Sequence, residues 1–305
     1  MKNKILIINP NWIEGLWGKN GCDVLWTRKN FNLFDKIINF FFSRFLSYDF
    51  FDRKNWWKDC LGYETIIIID STKDTLNQSK IIENHVSPKT KLIFYMVNMA
   101  SYTSNLDLFS NRWSKWSFSR KDSIKNGLKY GETFFFKGFS ENLPTVKTVY
   151  DSFFIGLDKG RLSYLNQTKK QYEDLGLHSL FYIVDNVKAL FNKKYKKRLD
   201  YYGVIDLVNS SRSITEIVML GQEGLTLRAM ESIFLKKKLI TNNPEIRNKN
   251  IYNPNNIFIL GEDNIKDLPL FLNKPFQEID NKIVDSYIYS NWLKRLINDI
   301  EYQKI

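Results

Sequence analysis

Seven residues separate Glu223 from Glu231 in the run GQEGLTLRAMESIFLKKKLITNN, residues 221–243. A carboxylate accepts two hydrogen bonds at once, which makes it the usual partner of paired sugar hydroxyls. Gly221 and Gly224 allow a sharp turn before the second glutamate. Leu227, Met230, Ile233 and Phe234 then recur at the spacing of one helical face. A helix beginning near Leu225–Leu227 leaves backbone N–H groups free to meet a phosphate. The unit could therefore hold a diphosphate between two hydroxyl-bearing rings. The same spacing also suits a capped amphipathic helix with a solvated glutamate at each end. Lys236, Lys237 and Lys238 close the helix where its dipole favours cations.

A second cluster lies in FFIGLDKGRL. Gly156 ends an apolar run and lets a ligand approach the backbone, and Lys159 and Arg161 follow. Two cations there can neutralise a departing diphosphate without a metal ion; the alternative is a basic surface turn. Asp70, delivered by the run IIIID to a strand end, is a candidate general base for an acceptor hydroxyl. An aspartate in that place also serves as a helix cap. His85 and His178 are the only histidines, and neither lies near Cys22 or Cys60 in sequence. That argues against a metal centre or a Ser-His-Asp machine. Two thiols in so long a chain suit a reducing compartment.

These residues need strands and helices to position them. KILIINP, CDVLWT, YETIIIIDS and KTKLIFYMVNM read as strands, and STKDTLNQSKIIENH between them has helical length. After ENLPTVKTVYD the rhythm restarts. SFFIGLDKGR, HSLFYIVD, SITEIVML and NIFILG are strand-like, YYGVIDLVNSS is mixed and QTKKQYEDLGL is helical. In the tail, Ile283, Tyr287, Trp292, Leu296 and Ile300 fall at helical spacing. Short apolar strands alternating with helices predict parallel sheets covered on both faces. Two doubly wound α/β domains are expected, over 1–147 and 148–305. The C-terminal helix is a candidate to pack back on the first of them.

With 43% hydrophobic residues and 15% aromatics the chain can build a core. Its formal charge of +12 attracts polyanions, whether nucleic acid, anionic membranes or phosphorylated molecules, although a genome rich in Lys, Asn and Ile gives the same excess. No run approaches the ~20 apolar residues of a membrane span, and the start has no signal-peptide pattern. A cytoplasmic protein is expected, at most attached to a membrane face. Residues 34–58 mix large aromatics with Lys36, Arg44, Arg53, Lys54 and Lys58, which suits either a membrane interface or core burial. Trp113 and Trp116 pose the same choice, with stacking on sugars added. A basic nucleic-acid-binding protein is the main alternative class, but no recognition motif appears and the cations are scattered. An inactive membrane-peripheral scaffold is another.

The E-G-x6-E pattern, with its short helix and apolar strand, resembles the E-x7-E element of GT-B glycosyltransferases. GLTLRAMESIFLKKKLITNN, IYNPNNIFIL and DSFFIGLDKGRL together resemble bacterial members that build lipopolysaccharide core and capsule; the resemblance covers roughly 150–295. It implies two Rossmann-like domains facing across a cleft. It also implies a nucleotide-sugar donor on the C-terminal side, a glycan or lipid-linked glycan acceptor on the N-terminal side, and neither cofactor nor metal. Carried over, Glu231 would bind the donor ribose and Glu223 would lie near the donor sugar. Amides around Gly224, Leu225 and Thr226 would meet the diphosphate, Arg228 would add a cation, and Gly156, Lys159 and Arg161 would face the leaving group. Leu225-Thr226-Leu227 stands where the element carries an aromatic and a second glycine, so the stereochemical outcome stays open.

Overall fold

The computed structural model describes residues 4–8, 14–27, 54–69, 73–99, 106, 109–141, 143–185, 188–219 and 221–303. The chain forms two compact units. The first comprises Met1–Gly131 with Leu296–Glu301, and the second Glu132–Arg295 with Tyr302–Ile305.

The first unit holds a parallel sheet of β1 (Ile5–Ile8), β2 (Asp23–Leu25), β3 (Thr65–Ile69), β4 (Lys91–Met96), β5 (Trp113–Ser117) and β6 (Lys129–Tyr130), ordered β2-β1-β3-β4-β5-β6. Register is fixed by pairs such as Ile7 with Ile67 and Ile67 with Ile93. β-Branched runs form these strands because helices and loops cover both faces. Ile66, Ile67 and Ile68 are fully buried. Helices α1 (Glu14–Lys19), α2 (Lys73–His85) and α3 (Arg120–Asn126) belong to this unit. Leu6, Ile8, Ile66, Ile68, Ile82, Phe94 and Phe109 share one core. Trp113 and Trp116 are buried strand residues, so neither is a surface for sugars or lipid. Lys91 Nζ donates to the carbonyl of Ile297, and Ser114 Oγ donates to Asp299, which also pairs with Lys129.

The second unit holds β7 (Tyr150–Leu157), β8 (Ser179–Val184), β9 (Tyr195–Lys196), β10 (Ser211–Glu216), β11 (Lys238–Thr241) and β12 (Ile257–Ile259), ordered β12-β11-β10-β7-β8-β9 and again parallel. Its helices are α4 (Leu162–Asp174), α5 (Tyr201–Asn209), α6 (Leu227–Phe234), α7 (Leu268–Asn273), α8 (Asn281–Ser286) and α9 (Tyr289–Asn298), whose residues from Leu296 onward belong to the first unit. Phe154, Leu165, Tyr172, Ile183, Ile217, Ile240 and Phe258 form its core.

Three details differ from the sequence expectation, each for a local reason. The chain divides after Gly131 rather than at 147/148. Phe136 stacks on Tyr289 and Phe134 packs against it at a tilt, while Phe135 stacks on Phe234, which fixes this stretch in the second unit. The tail forms two helices rather than one. Phe135 inserts its backbone at the break, donating to the Tyr287 carbonyl and accepting from the Tyr289 amide. The mixed segment from Tyr201 is helical because Asp200 caps it, accepting from the Gly203 amide at 2.8 Å.

Candidate functional site

In the second sheet the chain passes from β7 to β8 and β9 on one side, then returns to lay β10, β11 and β12 on the other. The switch point therefore lies between β7 and β10. In doubly wound sheets ligands bind outside the carboxyl ends of the strands at such a point.

The β7 end carries Gly156, Lys159 and Arg161. Lys159 has φ 46° and Gly160 φ 79°, so the turn is left-handed at two successive residues. Asp158 holds it in shape: Oδ1 accepts from the Leu162 amide at 3.0 Å and Oδ2 from the Tyr195 hydroxyl at 2.9 Å. The Arg161 guanidinium folds back over the Phe154 ring, 5.7 Å from its centre. It donates to the carbonyls of Leu157 (2.6 Å) and Asp158 (3.2 Å) and to that of Ile217, just beyond β10. One side chain thus spans both strands of the switch point. A β-carbon at Gly156 would stand 3.2 Å from Phe154 Cζ and 3.6 Å from Arg161 Nη2, so the glycine makes room for this arrangement. Burial lowers the pKa of Arg161, and burial, then the neighbouring Arg161 charge, lowers that of Lys159. For both cations burial is the main cause, because it disfavours the charged form, and an anion bound beside them would offset that cost.

Beyond β10 the chain turns at Gly221, φ 82°, and enters α6. Gly224 and Leu225 are buried, and the Leu225 carbonyl accepts from Thr133 Oγ1. Thr226 is the N-cap: its Oγ1 accepts from the Arg228 amide at 3.0 Å. The same hydroxyl donates to Glu216, the last residue of β10, whose other oxygen accepts from Thr241 at 2.5 Å. Glu216 is buried, and burial raises its pKa although both hydroxyls oppose the shift. Glu231 lies on the buried face of α6. Oε1 accepts from the Tyr201 hydroxyl at 2.8 Å and Oε2 pairs with Arg228 at 2.6 Å. Its side chain is fully buried, and desolvation outweighs Arg228 and Tyr201, raising its pKa to about 7. Each carboxylate oxygen has about two lone-pair sites. A ligand hydroxyl can thus join these partners, but only when the covering side chains move.

No family model and no curated protein sequence matches this chain. Among solved structures, it is similar to the β-glucosyltransferase of T4 phage, with 14% identity over 99% of this chain and 100% of that one and a TM-score of 0.52. It is similar also to a glycosyltransferase from Rickettsia africae ESF-5, with 11% identity over 98% of this chain and 97% of that one and a TM-score of 0.52. The fold is GT-B. Both units of this GT-B chain are Rossmann-like, as expected from the alternation of strands and helices.

Within the GT-B frame, Gly156, Lys159 and Arg161 stand at one strand end of the switch point, and Glu216 stands at the other. Gly224, Leu225 and Thr226 lead into α6, which starts at Leu227 and bears Arg228 and Glu231. Glu231 is not a solvated glutamate, and Arg228 is committed to it. Glu223 is half-buried on the loop. Lys238 is not a helix-end cation but a buried strand residue, its Nζ 4.3 Å from the centre of the Phe271 ring. Asp70 follows β3 and lies outside the described residues, as does most of the aromatic and basic segment 34–58. Of that segment, Trp56 is buried and Trp57 stacks on His85 at 3.9 Å. Glu216 and Tyr201 escaped sequence reasoning. For Glu216 a signal existed, since an acid closing an apolar strand is what singled out Asp70.

Proposed function

We propose that the protein transfers a sugar from a nucleotide-sugar donor to a growing bacterial surface glycan, of the lipopolysaccharide or capsule type, without a metal ion. The observation that carries this is the junction of Arg161, bridging the ends of β7 and β10, with the Thr226-capped start of α6. A diphosphate lying there meets the charge of Lys159, the tethered guanidinium of Arg161 and the positive end of a helix. Those cations stabilise charge on the departing nucleotide in place of a metal. Glu231 is the proposed partner of the ribose hydroxyls and Glu223 of the donor sugar. The acceptor is assigned to the first unit, with Asp70 the proposed base that takes its proton. The sequence resemblance over 150–295 supports the surface-glycan acceptor.

The test is calorimetry with UDP, GDP and CMP on the parent protein and on Glu231→Ala. The parent should bind one of them, and the variant should bind it more weakly. Unaltered binding in the variant would remove Glu231 from the site, and no nucleotide binding by the parent would remove the function.

A further inference from the structure

The turn between β8 and β9 displays its apolar side chains instead of hiding them. Leu190 is 64% exposed and Phe191 86%. Lys193, Lys194, Lys196 and Lys197 follow, all exposed. Among the described residues no carboxylate forms an ion pair with any of these four lysines. The turn is anchored inward by Ala189, which packs against the core, and by Lys188 and Tyr195. Lys188 lies 4.7 Å from the Tyr195 ring centre and within 3.7 Å of Asp158 and 3.6 Å of Asp185. Tyr195 is buried and donates to Asp158. Strand alternation then sends Lys196 outward.

A single exposed apolar residue is ordinary on a protein surface. Two adjacent ones at the tip of a turn, followed at once by four unneutralised cations, match one solvent in particular. The interface of an anionic bilayer takes up aliphatic and aromatic side chains and attracts lysines to its headgroups. A nucleic acid would satisfy the lysines and could stack on Phe191, but it offers nothing to Leu190. We propose that residues 190–198 dock the protein on an anionic lipid surface. Leu190 and Phe191 enter the interface, and Lys193, Lys194, Lys196 and Lys197 lie against the headgroups. Asp158 ties this turn to the loop bearing Lys159 and Arg161, so docking brings that strand end near the lipid. The inference stands apart from sugar transfer: the vesicle and nucleotide experiments can fail independently.

The test is co-sedimentation of the full chain with vesicles of phosphatidylcholine alone or mixed with phosphatidylglycerol. Binding is expected on the anionic vesicles, weakening as salt is added. The pair Leu190→Ser with Phe191→Ser, and separately glutamine at all four lysines, should each reduce that binding about tenfold or more. Circular dichroism and melting should not change, because these side chains are exposed. Equal binding to neutral vesicles, no binding by the parent, or parental binding by both variants would overturn the proposal. So would loss of single-stranded oligonucleotide binding in the variants of a parent that ignores vesicles, which would make the patch a nucleic-acid surface.

Discussion

The Tyr201 hydroxyl donates to Glu231 Oε1 at 2.8 Å, joining α5 to α6 across thirty residues of sequence. That hydroxyl and Arg228 are the favourable polar partners of the Glu231 carboxyl in the interior, where the buried Glu216 carboxyl opposes its ionisation. Tyr201→Phe should therefore destabilise the fold by about 1–3 kcal/mol, the effect of leaving a buried acceptor short of a donor. Glu231→Ala should do more, about 3–5 kcal/mol, because it strands the half-buried Arg228 charge. Urea unfolding of the two variants checks the order.

Stability should also fall as the solution becomes more basic through neutrality. Burial keeps Glu231 protonated to about 7, above its ordinary 4.5. In the unfolded chain the group ionises near 4.5, so between these values the folded state binds more protons. The stability contributed by the neutral carboxyl is complete below 4.5 and is lost as pH rises through 7. The difference is on the order of 3 kcal/mol. Glu216 shifts in the same direction. Chemical unfolding at a series of pH values should show this slope, and Glu231→Gln should flatten it. Nucleotide affinity should run the other way, rising through pH 7, because ribose hydroxyls are best accepted by the ionised form.

Thr226 offers a sharper test of the loop. Thr226→Val keeps the shape but loses the cap to the Arg228 amide and the donor to Glu216. Loss of the cap alone costs about 1 kcal/mol, and an unpaired buried carboxylate oxygen adds about 1–3 kcal/mol. Thr226→Ser retains both bonds and should behave nearly as the parent. Melting temperatures of the two variants, with and without nucleotide, separate the hydroxyl from the methyl group.

Arg161→Lys should fail almost as badly as Arg161→Ala. One ammonium cannot reach the carbonyls of Leu157 and Ile217 together. If these cations stabilise the leaving diphosphate, turnover should fall about a hundredfold with a smaller change in donor KM. Steady-state kinetics reads the split. Lys159→Ala should lower turnover while leaving the Arg161 tether in place.

Much of the frame was legible in the chain's own pattern. The isoleucine run of β3 and the apolar middle of β7, Phe153-Phe154-Ile155, declared buried parallel strands, and the spacing of Met230 and Ile233 declared the buried face of α6. What sequence did not carry were contacts made by crossing strands. Nothing in local spacing ties Tyr201 to Glu231, or Arg161 to the carbonyl of Ile217, since both depend on β10 being laid beside β7. Phe135 at the break in the tail is of the same kind, a backbone partner from far away, although the five-residue step from Tyr287 to Trp292 already interrupts the helical spacing there. Trp113 and Trp116 were ambiguous because a tryptophan in an alternating run suits a core and a binding face equally.

The tether on Arg161 has one more result. A free arginine that is immobilised on meeting an anion gives up roughly 2 kcal/mol of rotamer entropy at that moment. Here the loss is taken when the chain folds, because the carbonyls of Leu157 and Ile217 already hold the guanidinium. An arriving phosphate finds a stationary charge at a set angle. Anions of the wrong geometry cannot recruit it by bending it toward themselves.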